Sequence, residues 1–193
     1  MALDPYALIT LVYAKRELSI AETETGMDAL LTDLINAVSE RVEQYCNRRF
    51  LRRSFVEYKD GEGEDTVFAD NPPITVHSLF DDLNNQYGSG TQISVDDFVV
   101  WEDEGRVVLD GDYVFADGKK NVKLYYAGGF SSVPADIQHG VVLVVAQAYK
   151  KAEGQQWNIA SLSIGDKTVT HVDQAWPKEA IEIFDRYRLP DIG

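Results

Sequence analysis

The sequence predicts an α+β fold: mostly a helical bundle with an antiparallel β layer inserted between its second and third helices. Three observations predict it. From Met27 to Phe50 apolar side chains recur at spacings of three and four, the period of a helix with one buried face. From Arg53 onward the period falls towards two, with turn residues between short runs. After Gly128-Gly129 and Pro134 the chain resumes as a valine-rich segment with almost no polar face, ending near Glu153.

The N-terminal helix is expected to start at Asp4, the carboxylate capping and Pro5 taking the first helical position, and to run into Leu8, Leu11, Val12 and Leu18. SIAETETG is a polar linker, and Thr25 with Asp28 resembles a capping box. The long second helix then carries Met27, Leu30, Leu31, Leu34, Ile35, Val38, Val42, Cys46 and Phe50 on one side.

The β region reads as SFVEYKD, TVFAD, ITVHSLF, ISVDDFVVW, RVVLDGDYVF and KNVKLYYAGG, giving five or six short strands in one compact layer. DGEGED, NPP, DDLNNQYGSG and EDEG supply the turns. Pro134 and Asp136 suit the first turn of the apolar third helix, although valine favours strands. WNIASLSIGDKTVTHVDQ is either a hairpin turning at Gly165-Asp166 or a polar excursion. Pro177 opens a short C-terminal helix with Ile181, Phe184 and Tyr187 on one face, and Pro190 stops it.

Charge narrows the partners. Eighteen Lys and Arg against 32 Asp and Glu give a formal net charge of −14, and such a surface repels phosphate backbones and anionic bilayers. NRRFLRR is the one basic cluster, and at a helix end its arginines are expected to cap carbonyls and pair with local acids. A single cysteine, Cys46, on the apolar side of a helix excludes an intramolecular disulfide and fits a reducing compartment. The N-terminus has no basic leader, and its apolar run and GVVLVVA are both too short to span a membrane, so a soluble cytoplasmic product is expected.

Chemistry-bearing patterns are sparse. His77, His139 and His171 lie far apart, without metal-ligand spacing, and neither a nucleophile elbow nor a phosphate loop is present. DGEGED alternates carboxylates like a calcium loop but has Asp65 at the glycine position and lacks the distal glutamate. Asp81-Asp82 and Asp96-Asp97 are adjacent pairs, which on a strand point to opposite faces. Trp101, Trp157 and Trp176 are expected to be packing residues or interface anchors rather than base-stacking platforms, given the acidic background. No catalytic, metal or cofactor residues are assigned, and no enzyme is expected.

The order of elements is more informative. DALLTDLINAVSERVEQYCNRRF, the NPPI turn, NVKLYYAGGFSSVPADIQHGVVLVVAQAYKK and SLSIGDKTVTH with a closing helix together resemble the head-tail connector, or adaptor and head-completion, family of tailed bacteriophages. The resemblance implies a non-enzymatic ring, commonly dodecameric, that docks on the portal of a filled head and carries the next neck or tail component. DNA passes through the ring without tight binding. It implies assembly in the host cytoplasm, residence in the virion neck, and no cofactor or membrane.

Under that resemblance the whole of 1–193 is one connector domain, with N-terminal helices over 1–52, an inserted β region over 53–130, the apolar helix over 131–156 and a C-terminal excursion and helix over 157–193. A helix as apolar as the third needs more than one partner layer, so Val141, Val142, Val144, Val145 and Tyr149 are candidates for a subunit interface. Trp176, Ile181, Phe184 and Tyr187 are candidates for docking on the portal, the alternative being that their helix completes the subunit's own core. Another neck component, a stopper or tail-completion protein, and a small acidic calcium- or ligand-binding module are the competing readings.

Overall fold

The computed structural model describes residues 2–153, 161–164, 167–170 and 176–190. The chain divides into two compact units, residues 1–48 with 133–193, and residues 49–132.

The first unit is helical. It comprises α1 (Leu11–Glu17), α2 (Asp28–Tyr45), α3 (Ala135–Glu153) and α4 (Lys178–Asp185). The first helix starts six residues later than Asp4-Pro5 suggests, at Leu11 rather than Pro5. The cap is Thr10, whose hydroxyl accepts from the Tyr13 amide at 3.1 Å, while Asp4 closes a local turn on the Tyr6 amide. Nor does α2 use a capping box, because Asp28 is drawn away to pair with the buried Lys15 of α1. The Lys15 ammonium also donates to the carbonyls of Glu22 and Glu24, at 3.2 and 2.6 Å, so one buried cation clasps the linker between the two helices.

Helix α3 packs against α1, α2 and α4, which is how a helix with so little wet face is covered. Ile137, Val141, Val142, Val144, Val145 and Tyr149 are all buried. Gly140 lets α4 come close: a Cβ there would stand 2.7 Å from Phe184 Cε1. Residues Ser161–Ile164 and Lys167–Thr170 form an antiparallel pair, numbered β8 and β9 below, in register across Ser161 and Thr170.

The second unit corrects the expectation of a mostly helical bundle with one inserted layer. It contains seven strands in two antiparallel sheets: β1 (Arg53–Gly61), β2 (Thr66–Phe68), β3 (Ile74–Asp81), β4 (Gln92–Ile93), β5 (Phe98–Trp101), β6 (Arg106–Leu109) and β7 (Gly118–Gly128). The order is β1-β7-β3-β4 in one sheet and β2-β6-β5 in the other. The segment ISVDDFVVW is cut in two, its start pairing with β3 and its end with β6, because Ser94 caps a single 3-10 turn between them. Among the described residues the chain is therefore α+β, with strand residues nearly matching helical ones.

The two sheets share one core. Ile74, Leu79, Val122, Leu124 and Tyr126 from the first sheet meet Val67, Val107 and Leu109 from the second, with Phe115 between turns. The long β7 ends where Gly129 takes a left-handed φ of 95° and its amide donates to the carbonyls of Asn71 and Pro73, at 3.1 and 3.0 Å. A side chain there would strike the Leu51 backbone at 2.9 Å, so the glycine pair marks a crowded crossing of backbones.

Candidate functional site

The acidic motifs are occupied by the fold. Asp60 of DGEGED holds the Lys119 ammonium at 2.6 Å and the Lys120 amide at 2.8 Å, which keeps its carboxyl below the usual range. Asp81 receives the Ala116 amide and the Asn121 side chain, at 2.7 and 2.8 Å. Asp82 is buried and collects the amides of Asn84, Gln86 and Tyr87 and the Thr91 hydroxyl, folding the DDLNNQYGSG loop around one carboxylate. Among the described residues, no three His, Cys, Asp or Glu side chains are grouped to hold a metal ion.

A polar cluster on the inner face of the first sheet is likewise paired internally. Buried Tyr126 donates its hydroxyl to Glu57 and receives the Asn71 amide at 3.4 Å, while Lys59 bridges Glu57 and Asp70. Burial, reinforced by Glu57, pushes the Tyr126 phenol far above its ordinary range. Such a group is a fixed hydrogen-bond donor, not an acid catalyst.

The histidines are separated as their spacing suggests. His77 lies exposed on β3 with its ring 5.0 Å from that of Tyr125, and His139 on α3 faces Glu179 at 3.4 Å; His171 lies outside the described residues. Cys46 is fully buried and its thiol lies 3.6 Å from the Phe184 carbonyl.

Most of the residues expected to meet a portal or a neighbouring copy are buried within the helical unit. Trp176 and Phe184 are buried, their rings edge-on to each other at 5.4 Å and to Tyr45 at 5.2 and 6.4 Å. Ile181 and Tyr187 are half-buried. Val141, Val142, Val144, Val145 and Tyr149 are buried in the same unit. Trp157 lies outside the described residues.

What sequence reasoning missed is on the β unit. Burial alternates along β1, yet the outward positions Val56 and Tyr58 are apolar or aromatic, and so is Tyr125 on β7. The second sheet likewise exposes Phe68, Val99 and Trp101. Apolar residues on both faces of SFVEYKD and FVVW were the available signal: a strand with one wet face has polar residues there.

A two-unit α+β chain whose buried carboxylates and thiol are engaged internally, and whose outer sheet faces are aromatic, has the make-up of a structural or assembly protein. The sequence pattern of the head completion protein family matches residues 7–189, and the chain belongs to that family. It is a structural protein and not an enzyme. Its fold is shared by chains in particles of the gene transfer agent (GTA). One from the neck of an empty GTA particle, computed with C6 symmetry, is 17% identical, with a TM-score of 0.66 over 100% of this chain and 95% of that one. One from the virion of a native GTA particle is 16% identical, with a TM-score of 0.62 over 100% and 95%. A third, from the neck of a native GTA particle computed with C12 symmetry, is 17% identical, with a TM-score of 0.62 over 100% and 98%. No curated protein sequence matches the chain.

Proposed function

We propose that this chain forms a ring in the neck of a tailed phage or phage-like particle, where it docks on the portal of the filled head and presents a platform to the next neck or tail component. The observation that carries the reading is the match of the head completion family over residues 7–189, joined to a fold shared end to end with chains of particle necks computed with sixfold and twelvefold symmetry. A ring is the closed form of a contact repeated by rotation.

The genome passes through the ring in this reading. A net charge of −14 suits a conduit, because a wall that attracted phosphates would hold the DNA by its backbone and slow its passage. Docking is assigned to the C-terminal section through the exposed side of α4, where Glu179, Glu182, Asp185 and Arg186 reach solvent while Trp176 and Phe184 hold the helix in place.

The test is addition of the purified chain to DNA-filled, tail-less heads made without it. Imaging is expected to reveal a ring at the portal vertex, and the heads are expected to gain tails. Binding to isolated tails and not to heads would assign the chain to the other side of the joint and discard the adaptor role.

A further inference from the structure

The two sheets of the β unit are stacked on a common core, so their outer faces look in opposite directions. Those faces differ in charge. On the first sheet Tyr58 is 48% exposed, beside Val56 and Tyr125. The same face carries Lys123, whose ammonium lies 5.3 and 5.2 Å from the rings of Phe80 and Tyr87. Arg52 crosses that face to reach the Thr75 hydroxyl at 2.5 Å. Two places beyond Tyr58 on that face Asp60 is paired with Lys119, and Asp82, two places beyond Phe80 and near Tyr87, is buried and held by backbone amides.

On the second sheet Trp101 is 50% exposed, beside Val99 and Phe68. Arg106 stands between Phe68 and Trp101 in register, its guanidinium 4.2 Å from the Trp101 ring and paired with Glu104. Carboxylates bracket the face at both ends. Exposed Asp65, Asp97 and Asp110 lie at one end, and exposed Glu102, Asp103 and Glu104 at the other.

We infer that the cationic aromatic face of the first sheet, around Tyr58, Lys123 and Tyr125, binds the acid-rimmed aromatic face of the second sheet, around Trp101, on a neighbouring copy of this chain. This rests on the ring reading and names its contact. Each copy offers both faces, on opposite sides, so the contact is head-to-tail and every bond leaves one face of each sort free for the next copy. Aromatic side chains supply the buried area and the opposite charges set the orientation.

The test uses the full chain carrying single cysteines. Tyr58→Cys copies mixed with Trp101→Cys copies and treated with a short bis-maleimide are expected to give covalent dimers. Either variant alone is expected to give none. Cys46, being buried, contributes no background in unmodified chain. Lys123→Glu is expected to abolish the cross-link, and adding Glu102→Lys and Asp103→Lys to the opposing copy to restore at least half of it. Circular dichroism of each variant checks folding. Rings of the unmodified chain by native mass measurement, with no cross-link in the mixture, would overturn the inferred contact and leave the ring reading standing. Cross-linking of Tyr58→Cys alone would overturn it too, since that contact joins like faces. Portal-vertex binding without self-association in solution, and with no cross-link on the heads, would have the same consequence.

Discussion

Tyr187 donates its hydroxyl to both carboxylate oxygens of Asp136, at 2.8 and 3.0 Å, and so ties the chain beyond α4 to the first turn of α3. A hydrogen bond to a charged acceptor contributes about 1.5–3 kcal/mol when shielded from water, and less at a half-exposed site. Tyr187→Phe, which keeps the ring, is therefore expected to cost about 1 kcal/mol in chemical denaturation. Asp136→Asn is expected to cost more, since Asp136 also holds the Ile137 amide at the helix start. Equal stability of Tyr187→Phe and the parent would show the bond to be replaced by water.

Cys46 should make the protein sensitive to alkali. Burial pushes its thiol up to about 12 in the folded chain, against roughly 8.5 for an unfolded cysteine. With the folded value raised, the stabilisation is complete below the unfolded value and is lost as the pH rises from about 9 towards 12. Unfolding free energy measured between pH 8 and 10.5 should fall less steeply in Cys46→Ala than in the parent. A thiol reagent at pH 8 should label the parent only on unfolding, and rapid labelling of the native chain would refute the burial.

Gly140→Ala tests the α3–α4 approach. Alanine favours a helix over glycine by about 1 kcal/mol, yet its methyl would meet the Phe184 ring at 2.7 and 3.0 Å. That ring is held by Tyr45 and Trp176, so overpacking of about 1–3 kcal/mol should outweigh the helix gain. The melting temperature is expected to drop, and Phe184→Leu in the same chain to recover part of it. A higher melting temperature in Gly140→Ala would mean that the ring yields freely.

Asp82 should set an acid limit on the β unit. The Asn84 amide, opposed by burial and aided by those of Tyr87 and Gln86 and by the Thr91 hydroxyl, holds its carboxyl below the usual carboxylate range. Because the folded value is lowered, this stabilisation is present above the unfolded value of about 4 and is lost as the pH falls through the folded one. Asp82→Ala should be less stable than the parent at pH 7 and nearer to it at pH 2. A constant difference across that range would remove Asp82 from the acid limit.

The helical part was legible because a period of three to four survives imperfect boundaries. The period expected from Met27 to Phe50 became α2, which ends earlier, at Tyr45, and Pro134 to Glu153 became α3 in spite of its valines, since its apolar surface meets three other helices. The start of α1 was not legible, because Asp4-Pro5 satisfies the rules for a helix start and still forms a turn. The two sheets were not legible either. Alternation tells which residues share a face but not which strand pairs with which, and Ile93 and Phe98, five residues apart, go to different sheets. As for the site, the paucity of catalytic patterns argued only against an enzyme and the resemblance in the order of elements pointed to assembly, whereas Tyr58 and Lys123 come to share a face only once β7 lies between β1 and β3.

The way into the β unit and the way out lie side by side. The Phe130 amide donates to the Phe50 carbonyl at 2.7 Å, the Arg52 amide donates to the Phe130 carbonyl at 2.9 Å, and the rings of Phe50 and Phe130 stack. A segment whose two ends are zipped together can grow, shrink or be exchanged beyond the zip without moving its anchor points. The stretch from 53 to 129 thus lies beyond one clasp made within the β unit, leaving natural variation free to redesign it while the clasp keeps its geometry.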